Sequence, residues 1–202
     1  MKMVRLGLWL LVFVAAGLLV GRFFLAGNDA PLVGSASGPG GPFTLTAHTG
    51  EKVSNTDFLG RYMLVYFGYS YCPDVCPLDL QKLSVALYSL EKDGYDTTPV
   101  QPLFISIDPE RDTVEELAGF LPDFHPRLLG LTGTVDEIKA VAQSYKVYFA
   151  KREQPDTSDY LMDHSAFIFV MDPDGNYVRL FSTRDKPDDI AQSLASVLNK
   201  AQ

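Results

Sequence analysis

Two cysteines, Cys72 and Cys76, stand in the run Gly68-Tyr69-Ser70-Tyr71-Cys72-Pro73-Asp74-Val75-Cys76-Pro77, where an apolar segment gives way to an amphipathic one. Four-residue spacing puts two side chains on one face of a helical turn, with Cβ atoms about 5–6 Å apart. That suits two sulfurs on one soft metal ion, and it also brings the alpha carbons into disulfide range. The start of a helix stabilises thiolate, which favours metal ligation and thiol exchange alike. A structural disulfide or a pair of buried thiols is the inert alternative. The strand-to-helix switch, where α/β proteins bind ligands, weighs toward a working pair.

Two sulfurs make an incomplete metal site, so the three histidines matter. His48, in Ala47-His48-Thr49-Gly50, and His125, between Phe124 and Pro126, have no second donor nearby in sequence. Both read as solvated or satisfied loop residues. His164 differs: it follows a long polar stretch, 151–163, and directly precedes an apolar strand. Loops that long are often functional, although a histidine capping the strand is the competing reading. Two sulfurs and one imidazole form a soft, low-coordination set that suits copper better than magnesium or calcium; zinc would want a fourth ligand. Asp163 offers a weak or outer contact, but neighbours on an extended chain point to opposite faces.

The elements that must position these residues alternate between strand and helix. Phe43–Thr46 and Tyr62–Gly68 read as strands, the second apolar enough to be buried on both faces. Leu80, Leu83, Leu87 and Leu90 form a helical stripe across 77–92, with Pro77 in the first turn. Val100–Ile107 is a third strand, Thr113–Phe120 a helix, and Leu128–Leu131 a short strand. Thr134 and Glu137 make a capping box that opens a helix to about Tyr145. Asp172-Pro173-Asp174-Gly175 turns a hairpin between Ala166–Met171 and Tyr177–Phe181, and Pro187–Leu198 closes with an amphipathic helix. The fold class is α/β, with parallel strands first and an antiparallel hairpin last.

The 202 residues allow one ordinary domain plus a tail. Residues 6–21 carry no charge and are flanked by Lys2, Arg5 and Arg22. With Arg22 snorkelling, 6–27 gives 22 residues against about 20 for a bilayer span, so the length favours a single transmembrane anchor over a cleaved signal peptide. The domains expected are therefore an anchor at 1–27, a flexible tether at 28–42 and a folded body at 43–202. Nine of the fifteen tether residues are Gly, Pro or Ser. Without its three N-terminal basic residues the chain has 14 basic against 25 acidic residues, a net −11. That balance excludes nucleic acid as a partner. Two cysteines exclude a disulfide-rich scaffold, and an exported body tolerates oxidised thiols.

Cys72-Pro73-Asp74-Val75-Cys76-Pro77, Ser106-Ile107-Asp108-Pro109-Glu110-Arg111-Asp112-Thr113, Tyr145-Lys146-Val147-Tyr148 and Asp163-His164-Ser165 followed by Pro173-Asp174-Gly175 stand in the order found in the SCO/SenC family, which the chain resembles over about 43–200. The resemblance implies a thioredoxin-like domain, a central mixed sheet flanked by helices, tethered to the outer face of the bacterial inner membrane or the corresponding mitochondrial surface. It implies Cu(I) and Cu(II) binding through Cys72, Cys76 and His164, with Asp163 also implicated and Cys72–Cys76 able to form a redox-active disulfide. The implied task is copper delivery to, or thiol reduction at, the binuclear copper centre of cytochrome c oxidase subunit II. A second copper chaperone and a thioredoxin-like reductant are the further partners expected. Tyr71 departs from the His or Thr that many relatives place before the first cysteine.

Two classes of function follow, a copper metallochaperone and a thiol–disulfide oxidoreductase. Generic thioredoxin-like oxidoreductases use Cys-x-x-Cys and carry a proline just before the strand facing the active turn. Here three residues intervene, and His164 stands at that place with no proline between Pro155 and Pro173. Nothing resembles the Thr-x-x-Cys pocket of peroxidases. The ligand set favours metal handling.

Overall fold

The computed structural model of the protein describes residues 38–154 and 159–201. In chain order the elements are β1 (Thr44–Ala47), β2 (Lys52–Ser54), β3 (Tyr62–Gly68), α1 (Val75–Lys92), β4 (Val100–Ser106), α2 (Val114–Phe120), β5 (Leu129–Thr132), α3 (Val135–Ser144), β6 (Phe149–Glu153), β7 (Tyr160–His164), β8 (Phe167–Met171), β9 (Tyr177–Ser182) and α4 (Pro187–Ala201). The anchor expected at 1–27 lies outside the described residues. Among those described, no helix is long and apolar enough to cross a membrane.

Seven of the described strands form one sheet in the order β2-β1-β5-β4-β3-β8-β9. β3, β4 and β5 are parallel, and every other pairing is antiparallel. The expectation of parallel strands first holds for the centre but not for the N-terminus. β1 pairs antiparallel with β5, and β2, which has only three residues and no readable period, pairs with β1. The interior strand β3 runs Met-Leu-Val-Tyr-Phe-Gly fully buried, because helices cover both faces. On one face Tyr66 and Phe104 are paired in register, with Asp79 of α1 beside Tyr66 and Phe120 of α2 against Phe104. On the other, Phe67 meets Tyr145, just beyond α3, and Phe169 of β8.

Local signals explain several boundaries. Thr134 Oγ1 accepts the Glu137 amide at 3.2 Å while Glu137 Oε2 accepts the Thr134 amide at 2.7 Å, the reciprocal box that starts α3. Leu80, Leu83, Leu87 and Leu90 of α1 are all buried, as their spacing requires. The tether expected at 28–42 is held to the body at its end, where the Gly40 amide donates to the Ser144 carbonyl at 3.0 Å.

The largest departure is at 151–163. Read as a polar loop, this stretch instead supplies most of a two-stranded ribbon, β6–β7, separate from the main sheet. Its β6 residues Lys151, Arg152 and Glu153 are exposed. Without a strand-long buried face there is no apolar alternation to mark it.

Candidate metal centre

The site lies at the carboxyl end of β3, between α1 and the end of β7. Gly68 closes β3 because nothing larger fits: a Cβ there would stand 2.9 Å from Tyr66 Cε1 and 3.0 Å from Cys76 Sγ and Phe104 Cε2. The chain then turns through Tyr69–Asp74 before α1 begins at Val75.

Cys72 sits in that turn rather than on a helical face shared with Cys76, so the expected geometry of one helical turn is replaced by a capping one. Asp74, the N-cap of α1, makes no side-chain cap bond. Instead Cys72 Sγ accepts the amide of Cys76 at 3.4 Å, doing for the first helical turn what a Ser or Asp side chain ordinarily does. Both thiols are free; Cys76 is fully buried and Cys72 is 9% exposed.

Opposite them His164 ends β7. Its Nε2 is 3.3 Å from Cys76 Sγ, and its ring stands edge-on to both Tyr66 and Tyr69. Its Nδ1 lies 3.2 Å from the Ser165 carbonyl. A carbonyl only accepts, so Nδ1 serves as the donor to Ser165, and Nε2 is the ring atom turned toward the sulfurs. The three side chains touch one another rather than surrounding a point. Among the described residues no three such donors stand already spread for coordination. A copper ion would enter by replacing these hydrogen bonds.

The two thiols are pushed apart in acidity. Cys72 is held far below the ordinary thiol range, first by a hydrogen bond from Cys76 and then, against its burial, by His164 and the Asp74 and Cys76 amides. Cys76 is pushed up, by the hydrogen bond it gives Cys72 and then by burial. Cys72 is therefore the more acidic of the two sulfurs, with Cys76 as its hydrogen-bond donor. Cys72 and His164 face a cleft of about 330 Å³ lined also by Tyr69, Val75, Arg152 and Met162.

The remaining predicted residues fall elsewhere. Asp163 borders the same cleft, but its carboxylate points outward to Arg152 Nε at 3.2 Å, the opposite-face placement that alternation requires. His48 Nδ1 accepts the Gly130 amide at 3.2 Å. His125 is buried, with Nε2 3.3 Å from Glu91 Oε1 and its ring 4.7 Å from that of Tyr88. Sequence reasoning assigned no part to Tyr66, Tyr69 or Arg111. Tyr69 lies beside Cys72 and Met162 along the same cleft, between the cysteine turn and the ribbon. No spacing marks these tyrosines, since in sequence they are ordinary members of an apolar strand and its turn.

A mixed sheet with a cysteine pair at the carboxyl end of a central parallel strand, faced by a histidine from a separate ribbon, defines a thioredoxin-like α/β protein of the Sco type. The chain belongs to the SCO1/SenC family, whose model matches residues 34–199. It is 43% identical over 158 residues to the Homo sapiens protein named Protein SCO1 homolog, mitochondrial, covering 78% of this chain and 52% of that one. The chain thus spans about half the length of the curated relatives it matches. Arabidopsis thaliana ScoI, solved with copper bound, is 40% identical with a TM-score of 0.74, covering 80% of this chain and 98% of that one. Bradyrhizobium japonicum ScoI, also solved with copper bound, is 42% identical with a TM-score of 0.71, covering 78% of this chain and 98% of that one.

Proposed function

We propose that this protein is a copper metallochaperone of oxidase assembly. It holds one copper ion, as Cu(I) or Cu(II), through Cys72, Cys76 and His164 and passes it to the binuclear copper centre of cytochrome c oxidase subunit II. The observation that carries this reading is the contact of two sulfurs and one imidazole whose other nitrogen is committed to a carbonyl. That donor set is soft and low in number, as copper prefers. Relatives of 40% and 42% identity solved with copper bound support it.

Cys72, the more acidic and more exposed sulfur, meets the incoming ion at the cleft. Cys76 then yields its proton and becomes the second sulfur ligand, and His164 completes the set. Transfer runs in reverse from the accessible side: a partner cysteine displaces Cys72 first, because Cys76 is walled off by Tyr66, Gly68 and α1. In this reading residues 1–27 anchor the chain in the inner membrane with the body in the periplasm. The mitochondrial intermembrane space is the alternative placement for the body, given relatives named mitochondrial. A second copper chaperone supplies the ion, and a thioredoxin-like reductant keeps both thiols open.

A second reading rests on the same cysteines. A thiolate beside a protonated thiol is the arrangement of a dithiol reductant. Cys72 would attack a client disulfide, releasing one client thiolate. The Cys76 thiolate would then break the mixed disulfide, leaving Cys72–Cys76 oxidised and the client reduced by two electrons.

Copper titration of the reduced protein separates the two. One tightly held copper, with a thiolate-to-Cu(II) charge-transfer band lost in Cys72→Ala and in His164→Ala, supports the chaperone. No specific copper binding together with rapid exchange against a protein disulfide transfers the function to thiol reduction.

A further inference from the structure

The segment 108–112 holds no candidate ligand, yet it touches both halves of the site. Asp112, fully buried, accepts the Ser70 amide at 3.1 Å and the Ser70 hydroxyl at 2.5 Å, fixing the cysteine turn. Arg111 reaches the other way. Its Nε donates to Asp108 Oδ2 at 2.5 Å and its Nη1 to the Tyr160 carbonyl at 3.0 Å, at the start of the strand that ends in His164. The guanidinium lies 3.7 Å from the Tyr160 ring centre, 4.9 Å from that of Tyr71 and 5.7 Å from that of Tyr69. The Tyr160 hydroxyl closes the ring of contacts by donating to Asp108 Oδ1 at 2.7 Å.

This cation is poorly explained as a generic stabiliser. Its Nη2 is buried with no hydrogen-bond partner, an arrangement that disfavours burying the group, and aromatic faces stand where an acceptor would. What the arrangement achieves is geometric. β7 has β6 as its sheet partner and no ladder to the main sheet; Ser165 and Ala166 tie its His164 end to β8, but no backbone pairing sets the ribbon's approach to the cysteine turn. Side chains complete that placement. Arg111 binds the Tyr160 end of β7 and lies against Tyr69 and Tyr71 of the turn, while Tyr69 and Met162 line one cleft midway along the strand.

We propose that Arg111 is a positioning residue for His164: its fork to Asp108 and the Tyr160 carbonyl, set among three tyrosines, fixes where the β6–β7 ribbon delivers the imidazole to the two sulfurs. The inference rests on the copper reading above. Soft Cu(I) draws most of its binding from the two sulfurs, whereas Cu(II) depends more heavily on the imidazole. Loss of Arg111 therefore acts on Cu(II) through His164. Lysine retains the charge but not the planar fork.

The test compares the reduced full chain as wild type, Arg111→Ala, Arg111→Lys, His164→Ala and the Arg111→Ala/His164→Ala double variant. Cu(II) affinity falls about 10–100-fold in Arg111→Ala, the usual effect of losing a group that orients a ligand, and by less in Arg111→Lys. Cu(I) affinity changes far less, and the double variant binds Cu(II) no more weakly than His164→Ala alone. Without metal, amide exchange in Arg111→Ala quickens at Leu161–Asp163 while β3 and α1 keep their protection. Wild-type Cu(II) affinity in Arg111→Ala, additive losses in the double variant, or exchange rising through β3 and α1 alike each overturns the proposal. A wild type that binds no Cu(II) refutes the copper reading instead, and the exchange experiment still decides whether Arg111 sets the ribbon.

Discussion

His164 Nε2 and Cys76 Sγ stand 3.3 Å apart across 88 residues of chain, and the other nitrogen of the same ring faces the Ser165 carbonyl at 3.2 Å. The imidazole is thus held by its own backbone on one side and turns Nε2 to sulfur on the other. Nothing else in the site supplies nitrogen: His48 and His125 bond elsewhere, and Asp163 pairs with Arg152.

Replacing His164 by Ala therefore weakens Cu(II) binding by more than the roughly 10–100-fold that loss of a ligand's supporting group causes. The Cys72–Cys76 disulfide still forms, since both sulfurs stay in place. Cu(II) titration with a thiol count on the oxidised variant checks both halves, and unchanged affinity removes His164 from the ligand set.

Cys72 reacts first with an alkylating reagent. It is the more exposed sulfur, and its thiol is held far below the usual range by the Cys76 hydrogen bond. Above that lowered pKa it is already thiolate, so its labelling rate stays nearly flat from pH ~8 down to ~5. An ordinary thiol slows about tenfold per unit below its pKa of ~8.5. Site-resolved mass spectrometry over that range decides, and a tenfold-per-unit decline at Cys72 rejects the assignment.

Gly68→Ala forces a methyl group to within 3.0 Å or less of Tyr66, Cys76 and Phe104, all buried in the same layer. Overpacking of this kind costs about 1–3 kcal/mol, read as a lower urea midpoint at unchanged m-value. Because Cys76 Sγ is one of the displaced atoms, copper affinity falls as well. A variant with wild-type stability and affinity shows that the layer can relax.

Acid weakens the fold through His125. Burial, first among the causes, lowers its pKa below 6.5, with Arg127 adding to the effect and Glu91 opposing it. The native state then binds fewer protons than the unfolded chain below that value. The stabilising contribution is complete above about pH 6.5 and declines as pH falls toward the folded pKa. Urea midpoints of wild type and His125→Gln, measured from pH ~7.5 to ~5.5, give a steeper decline in wild type. Parallel curves exclude His125 as the source.

Much of the scaffold was legible because burial on one face leaves a local period. The stripe Leu80, Leu83, Leu87, Leu90 and the Thr134–Glu137 box announce α1 and α3, and the apolar run of 62–68 announces a strand covered on both faces. Strands β6 and β7 left no such period, because they lie outside the main sheet with β6 exposed over 151–153. The direction of β1 was equally hidden: antiparallel pairing with β5 depends on an edge 85 residues further along, not on the strand's own residues.

For the site, sequence by itself determined the chemistry: two sulfurs at the start of a helix, a histidine before an apolar strand, and an acidic body unsuited to nucleic acid. Tertiary structure alone decided which sulfur is the more acidic, because that depends on the Cys76 thiol and amide and on His164 reaching Cys72 in space. It also decided that Arg111 spans the cysteine turn and the histidine ribbon. Residue types and spacings fix what an atom can do, whereas contacts between distant segments arise from packing, and packing leaves no mark on the local pattern of either partner.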